Sequence, residues 1–257
     1  MSTFILFLVT SLSFSSTSPI LKELNGAKTL TVMNGKKKNK IKKHGKLKTP
    51  VKIKTDAKTS AVIEFGDGTV MSIGHTTEVE ILNKTGVTQW NDLEHGNVRS
   101  QVAKAKTPSK NYLFGFRTKS AVMGVRGTDF VVTADQEKKT SELRTLDGEV
   151  HVAKDEKTLN DGKGIPVLQN QMTQMSPGSI QAPVSFNRDE FMKKLSTSQP
   201  DLAKLAPQVP SVPSMPTTPS VTLPPVTVPP VTAPPVTAPP APAAPAVPKV
   251  TPPKIGF

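Results

Sequence analysis

The sequence predicts an all-β domain, an antiparallel sandwich or barrel-like packing of short strands, followed by one short helix and a disordered proline-rich tail. Three observations carry this prediction. Between Lys28 and Gln174, short runs rich in Val, Ile, Thr and Phe recur every eight to twelve residues or so. Gly, Asn and Asp turn signals separate them, and no long helical period runs through the stretch. Of the 25 prolines, 18 lie between Pro207 and Pro253, a composition that cannot build a core.

The chain opens with an apolar run of roughly eleven residues inside Met1–Phe14, followed by Ser15, Ser16, Thr17, Ser18 and Pro19. Such a run is too short to cross a bilayer as a stable helix but has the length of a signal-peptide core. Residues 1–18 are therefore read as a signal peptide, and the mature protein as exported to the periplasm or cell surface. No Lys or Arg precedes the run, and Ser13-Phe14-Ser15 is the nearest substitute for a small-residue cleavage site. The alternative is a buried first strand of a cytoplasmic protein. No other segment has the length and apolarity of a transmembrane span.

The first clear strand, Thr29 to Met33, meets Asn34-Gly35, a strong two-residue hairpin signal. Beyond it lies the main charge feature of the chain. The formal net charge is +13, and residues 19–106 contribute most of it with 17 basic and 8 acidic side chains. Between Lys36 and Lys54 there are ten lysines and no acid. Lys36, Lys37, Lys38, Lys40, Lys42, Lys43, Lys46 and Lys48 are the candidate polyanion-binding residues, and Lys52 and Lys54 complete the run. Lysine runs attract polyanions through counterion release. For an exported protein the candidates are lipopolysaccharide phosphates, anionic lipids and wall polymers ahead of nucleic acid. The run has no arginine fork and no aromatic stacking platform, so specific nucleic-acid recognition is not expected. The plainer reading is a solvated hairpin whose lysines discourage edge-to-edge pairing.

Further along, Ala61 to Phe65 turns through Gly66-Asp67-Gly68 into Thr69 to Ile73, and Glu78 to Leu82 alternates with period two. Leu143 to Leu146 turns at Asp147-Gly148 into Glu149 to Val152. The predicted helix begins at Asn187. Asn187 can cap, Glu190 completes a capping box, and Phe191, Met192 and Leu195 share a face, so residues 187–206 read as a short amphipathic helix packed on the end of the β domain. Pro200 and Pro207 stop anything longer. Residues 207–257 form the tail, with a five-residue Val-Thr-x-Pro-Pro repeat starting at Val221, Val226, Val231 and Val236. Polyproline II is its natural conformation, and a spacer or tether its natural use.

The most distinctive stretch runs from Phe116 to Val132. An apolar strand from Ala121 to Val125 meets a glycine-bounded arginine, Arg126, and a second strand opens at Asp129. Gly124 and Gly127 suit conformations or close approaches that a Cβ would forbid. Arg126 needs water or a partner, and Asp129 is the local candidate. This stretch resembles the hallmark of the FecR-type domain, whose motif reads Thr-Pro-x-Ala-Val-x-x-Val-Arg-Gly-Thr-x-Phe. Thr118, Ala121, Val122, Val125, Arg126, Gly127, Thr128 and Phe130 match, and Lys119 stands where proline is usual. Val62 to Val70, Gly96-Asn97-Val98 and Leu146 to Val150 also resemble family segments, and Asn170-Gln171 stands where Gly-Gln is usual. The match covers about 45–175, inside a β domain drawn at 19–186. The resemblance implies a periplasmic or surface interaction module in which Ala121, Val122, Val125, Arg126, Gly127, Thr128 and Phe130 are structural. The best-known members sense ferric siderophore uptake, with an anti-sigma segment and a transmembrane helix ahead of the periplasmic domain; neither part is present in this sequence.

The same sequence argues against an enzyme. Cysteine is absent, which removes disulfides, thiolate metal sites and thiol nucleophiles. His44, His75, His95 and His151 do not form a local metal signature, and no nucleophile elbow, P-loop or dinucleotide fingerprint occurs. The expectation is no catalytic residue, no cofactor and no metal. The expected function is envelope binding or scaffolding, with a protein or a cell-wall or surface glycan as partner. The alternatives are an exported polyanion-binding protein working through the lysine run and a truncated FecR-like signalling regulator.

Overall fold

In the computed structural model, which describes residues 18–85, 88–104 and 112–204, the short strands pair into two sheets. The apolar N-terminal run and the tail from 207 lie outside the described residues. All described residues fall within the unit Met1–Pro210.

The strands in chain order are β1 (Ile20–Asn25), β2 (Leu30–Asn34), β3 (Lys37–Ile41), β4 (Val51–Lys54), β5 (Ser60–Glu64), β6 (Val70–Ile73), β7 (Glu78–Ile81), β8 (Gln89–Gln101) and β9 (Phe114–Arg117). There follow β10 (Val122–Val125), β11 (Asp129–Asp135), β12 (Thr140–Asp147), β13 (Glu149–Ala153), β14 (Ile165–Leu168), β15 (Gln171–Ser176), β16 (Ser179–Ile180) and β17 (Val184–Ser185). One sheet runs β1-β5-β6-β8-β11-β12-β15, with β16 and β17 both paired to β15. The other runs β3-β2-β4-β7-β8-β9-β10-β13-β14. Strand β8 belongs to both. Its first half pairs with β7 and β9, and its second half, from Gly96, pairs with β6 and β11. The register slips beside this changeover, which lets one long strand turn the corner between two packed sheets.

The core lies between the inner faces. Phe65, Phe114, Phe116 and Phe130 form a chain of edge-to-face contacts with centroids 5.2, 5.6 and 5.8 Å apart. Alternation then dictates what faces outward. On β11, Phe130 and Val132 enter the core while Val131 joins a second apolar cluster with Leu146, Leu195 and Leu202.

Three helices occur among the described residues, where one was expected: α1 (Glu156–Asn160), α2 (Arg188–Ser198) and α3 (Pro200–Ala203). Asp155 caps α1 by accepting from the Thr158 amide at 2.7 Å. Asn187 caps α2 through the Glu190 amide at 3.1 Å, but the Glu190 carboxylate goes to Lys194 at 2.7 Å, so only half of a capping box forms. Pro200 ends α2 and then opens α3, because the first turn of a helix needs no amide proton. The pair α2–α3 packs on the outer face of the first sheet against Val131 and Leu146, and not on the end of the β domain. No helix among the described residues is long and apolar enough to cross a membrane.

Candidate functional site

The lysine run folds as the β2–β3 hairpin and the segment 42–50 that leads into β4. Asn34 and Lys37 close the hairpin, leaving Gly35 and Lys36 as a two-residue turn. Among the described residues strand β3 is an edge, paired only to β2. Register places Leu30, Val32 and Asn34 opposite Ile41, Asn39 and Lys37 on one face. Along that face the side chains change from buried apolar to polar and then to charged as the hairpin leaves the core. Lys38 and Lys40 lie on the opposite face, so both faces of the hairpin are basic.

The ten lysines divide into two groups. Lys52 and Lys54 reach the Glu78 carboxylate at 3.2 and 3.3 Å. The hydrogen bond to Glu78 holds the Lys52 ammonium above its ordinary pKa. Burial pushes the Glu78 carboxyl up, but the hydrogen bonds from the two lysines outweigh it and leave Glu78 below the usual carboxylate range. The other eight, Lys36, Lys37, Lys38, Lys40, Lys42, Lys43, Lys46 and Lys48, are all exposed. None of them pairs with a carboxylate among the described residues.

Between the hairpin and the segment 46–50 lies an open cleft of about 560 Å³. Val32, Ile41 and Leu47 form its apolar part, and Lys37, Lys40, Lys46 and Lys48 line it with charge. Asn34 fixes its width: its amide nitrogen donates to the Lys48 and Pro50 carbonyls at 2.5 and 2.8 Å, and its amide oxygen accepts from Asn39 at 2.9 Å. The turn residue of the hairpin signal thus also ties the hairpin to the following segment.

The motif residues lie elsewhere, between and upon the two sheets. Ala121, Val125 and Phe130 are buried in the main core, and Val122 packs with Trp90, Tyr112 and Leu159 on the outer face of the second sheet. Gly124 lies beneath the Tyr112 ring; a Cβ there would sit 2.6 Å from ring carbons. Gly127 has φ +62°, in the left-handed region, and a Cβ would meet the Lys104 side chain at 2.6 Å. The Thr128 hydroxyl donates to the Glu149 carbonyl at 2.9 Å, stitching the motif to β13.

Arg126 is exposed, and its guanidinium lies 4.6 Å from the centroid of the Tyr112 ring. Arg117 stands in the same relation to Trp90 at 5.9 Å, with Gly115 beneath that ring. Two stacks of arginine, aromatic and glycine therefore stand side by side, since Gly115 and Gly124 are register partners. Asp129 is not the partner of Arg126. Its carboxylate takes two hydrogen bonds from Arg99, at 2.9 and 2.7 Å, and a third from Gln101 at 3.2 Å. Three-residue proximity suggested the local pair, but alternation sends Asp129 to the outer face of the first sheet, where Arg99 lies on the neighbouring strand.

Sequence reasoning also missed the chain Tyr112–His151–Glu149. The Tyr112 hydroxyl lies 3.0 Å from His151 Nδ1, and His151 Nε2 lies 2.6 Å from the Glu149 carboxylate. Burial pushes the Tyr112 phenol up, against the opposing charge and hydrogen bond of Arg126. Two residues of this chain, Glu149 and His151, share the period-two face of β13, a signal present in the sequence; Tyr112 joins them only through tertiary packing. No group of three or more His, Asp or Glu side chains that could hold a metal occurs among the described residues.

Two sheets sharing a bent strand, antiparallel throughout except for the parallel β8–β9 pair, with a glycine-bounded arginine motif at their junction, define an all-β module. Residues 51–151 match the family described as FecR protein. No curated protein matches. Two crystal structures of a candidate anti-sigma factor from Parabacteroides distasonis, at 2.50 and 1.65 Å resolution, are similar. Each gives a TM-score of 0.46 and 20% identity over 56% of this chain and 64% of that one, so the chain spans under two thirds of their length.

Proposed function

We propose that this protein works outside the cytoplasm as a non-enzymatic binding or scaffold protein. Its FecR domain engages a component of the cell envelope, a protein or a glycan, and residues 207–257 act as spacer or tether. The observation that carries this reading is the basic cleft. Of the eight exposed lysines without carboxylate partners among the described residues, Lys37, Lys40, Lys46 and Lys48 line a concavity of about 560 Å³ held at a set width by Asn34, and the other four lie on the same run beside it. Keeping so many like charges together opposes folding through mutual repulsion, and a surface that serves only solubility has no need of the concentration. The FecR motif supports the division of labour, because its residues are spent on the core, the Tyr112 stack and the Arg99–Asp129 pair.

The test is cell fractionation with intact-mass analysis, followed by affinity capture from envelope extract. The full-length protein is compared with a variant in which Lys37, Lys40, Lys46 and Lys48 are changed to Gln. The reading expects a processed chain outside the cytosol and an envelope component captured by the parent but not by the variant. A cytosolic chain retaining Met1, or capture unaffected by the substitutions, overturns it. Recovery of a sigma factor as the partner would favour the signalling alternative.

A further inference from the structure

We propose that the basic cleft binds a phosphate-bearing polyanionic chain, with Lys37, Lys40, Lys46 and Lys48 as the contacts; the proposal rests on the reading of this surface as the binding face. Three features select the ligand. First, the charge is all lysine. An ammonium is a compact point charge without the planar fork that arginine offers to carboxylates, so attraction depends on charge density rather than on bidentate geometry. Binding through released counterions rises with the linear charge density of the ligand, which favours phosphate polymers over sparsely carboxylated ones.

Second, lysines occupy both faces of the β2–β3 hairpin, Lys37 on one and Lys38 and Lys40 on the other. The four cleft lysines come from both faces of β3 and from the segment 46–50, so the set addresses charges spread along a chain better than a single ion. An extended chain can enter the cleft and continue over the edge strand; a single small anion would meet only part of the set. Third, Ile41, partly exposed over the buried Val32 and Leu47, gives the cleft an apolar part, so the backbone of a phosphorylated chain has carbon to rest on. The segment carries no aromatic side chain, so nothing in it would read nucleobases.

The phosphate can come from a soluble phosphorylated polymer or from an array of lipid headgroups, and the measurement separates them. Binding of the full-length protein to inorganic polyphosphate, to phosphatidylglycerol vesicles and to poly-glutamate is measured over a range of salt concentrations. One comparison is the Lys37→Gln, Lys40→Gln, Lys46→Gln, Lys48→Gln variant. The other carries the same loss of charge at Lys139, Lys154, Lys163 and Lys193, all exposed and outside this surface. Thermal melts check that both variants are folded.

The expected result is polyphosphate binding whose log affinity falls with log salt at a slope of about −3, from four phosphate contacts. The cleft variant should lose at least tenfold, the other variant far less, and inorganic monophosphate should not compete. Binding to vesicles without binding to soluble polyphosphate supports the phosphate chemistry and assigns it to lipid. Equal losses in the two variants overturn the site, and poly-glutamate binding as tight as polyphosphate overturns the phosphate assignment. If neither phosphate probe binds while envelope capture still depends on the four lysines, the ligand class is wrong and the binding face stands. If both dependences vanish, both readings fail.

Discussion

The guanidinium of Arg99 on β8 and the carboxylate of Asp129 on β11 form a buried two-point pair, Nε to Oδ1 at 2.9 Å and Nη2 to Oδ2 at 2.7 Å. The remaining nitrogen, Nη1, donates to the Leu202 and Ala203 carbonyls at 2.9 and 3.1 Å. One side chain, 2% exposed, thereby joins two strands and the end of α3. Such a hub is expensive to break from one side, because the abandoned charge stays buried. Arg99→Ala should cost about 3–5 kcal/mol by chemical denaturation. Replacing both partners with apolar residues should cost less than either single change. A single-residue loss near zero would contradict the hub.

Arg126, by contrast, sits on the surface over the Tyr112 ring, where it also hydrogen-bonds the phenol, and Arg126→Ala should cost less than Arg99→Ala, about 1–2 kcal/mol for a cation–π contact and a hydrogen bond together. Gly124→Ala should cost more, about 1–3 kcal/mol, since the new methyl must displace the ring above it. The order of the two thermal midpoints checks the stack.

Tyr112 is the only tyrosine, so absorbance near 295 nm during an alkaline titration reports it alone. Burial raises its pKa in the folded protein. The folded state then keeps a proton that the unfolded chain gives up at about pH 10. Below that pH the group does not alter stability. Above it stability should fall, levelling off once the pH passes the folded pKa. The titration midpoint should lie above that of free tyrosine and return to it in denaturant.

Ending the chain after Ser198 removes Leu202 from its cluster and both carbonyl acceptors from Arg99. It also removes Asp201, which accepts from the Ser60 hydroxyl at 2.5 Å. That truncation should lower the thermal midpoint by several degrees. Ending the chain after Ala206 keeps all of these contacts and, on the spacer reading of the tail, should leave the midpoint almost unchanged.

Much of the β architecture was legible because turns and alternation are local. Asn34-Gly35 and Gly66-Asp67-Gly68 fall at turns between paired strands, and the capping role of Asn187 is written in its neighbours. Asp147-Gly148 is a turn as well, but it carries the chain from β12 in the first sheet to β13 in the second and closes no hairpin. The eight exposed lysines were visible as a run. What could not be read was which of ten lysines would find Glu78, because that depends on β4 pairing with β7. The Arg99–Asp129 pair was illegible for a similar reason: 30 residues separate the partners, and only the antiparallel register of β8 and β11 brings them together. Tyr112 over Gly124 likewise needs the sheet before it can be seen. Helix α1 escaped because five residues are too few for a period to show.

The central claim, that the hairpin cleft is the binding face, is tested most directly by lysine footprinting. The full-length protein is acetylated with and without envelope extract, and modification at each lysine is read by mass spectrometry. The account predicts protection at Lys37, Lys40, Lys46 and Lys48, with Lys139, Lys154, Lys163 and Lys193 unchanged. Protection spread evenly over both sets, or confined to the second, would contradict it.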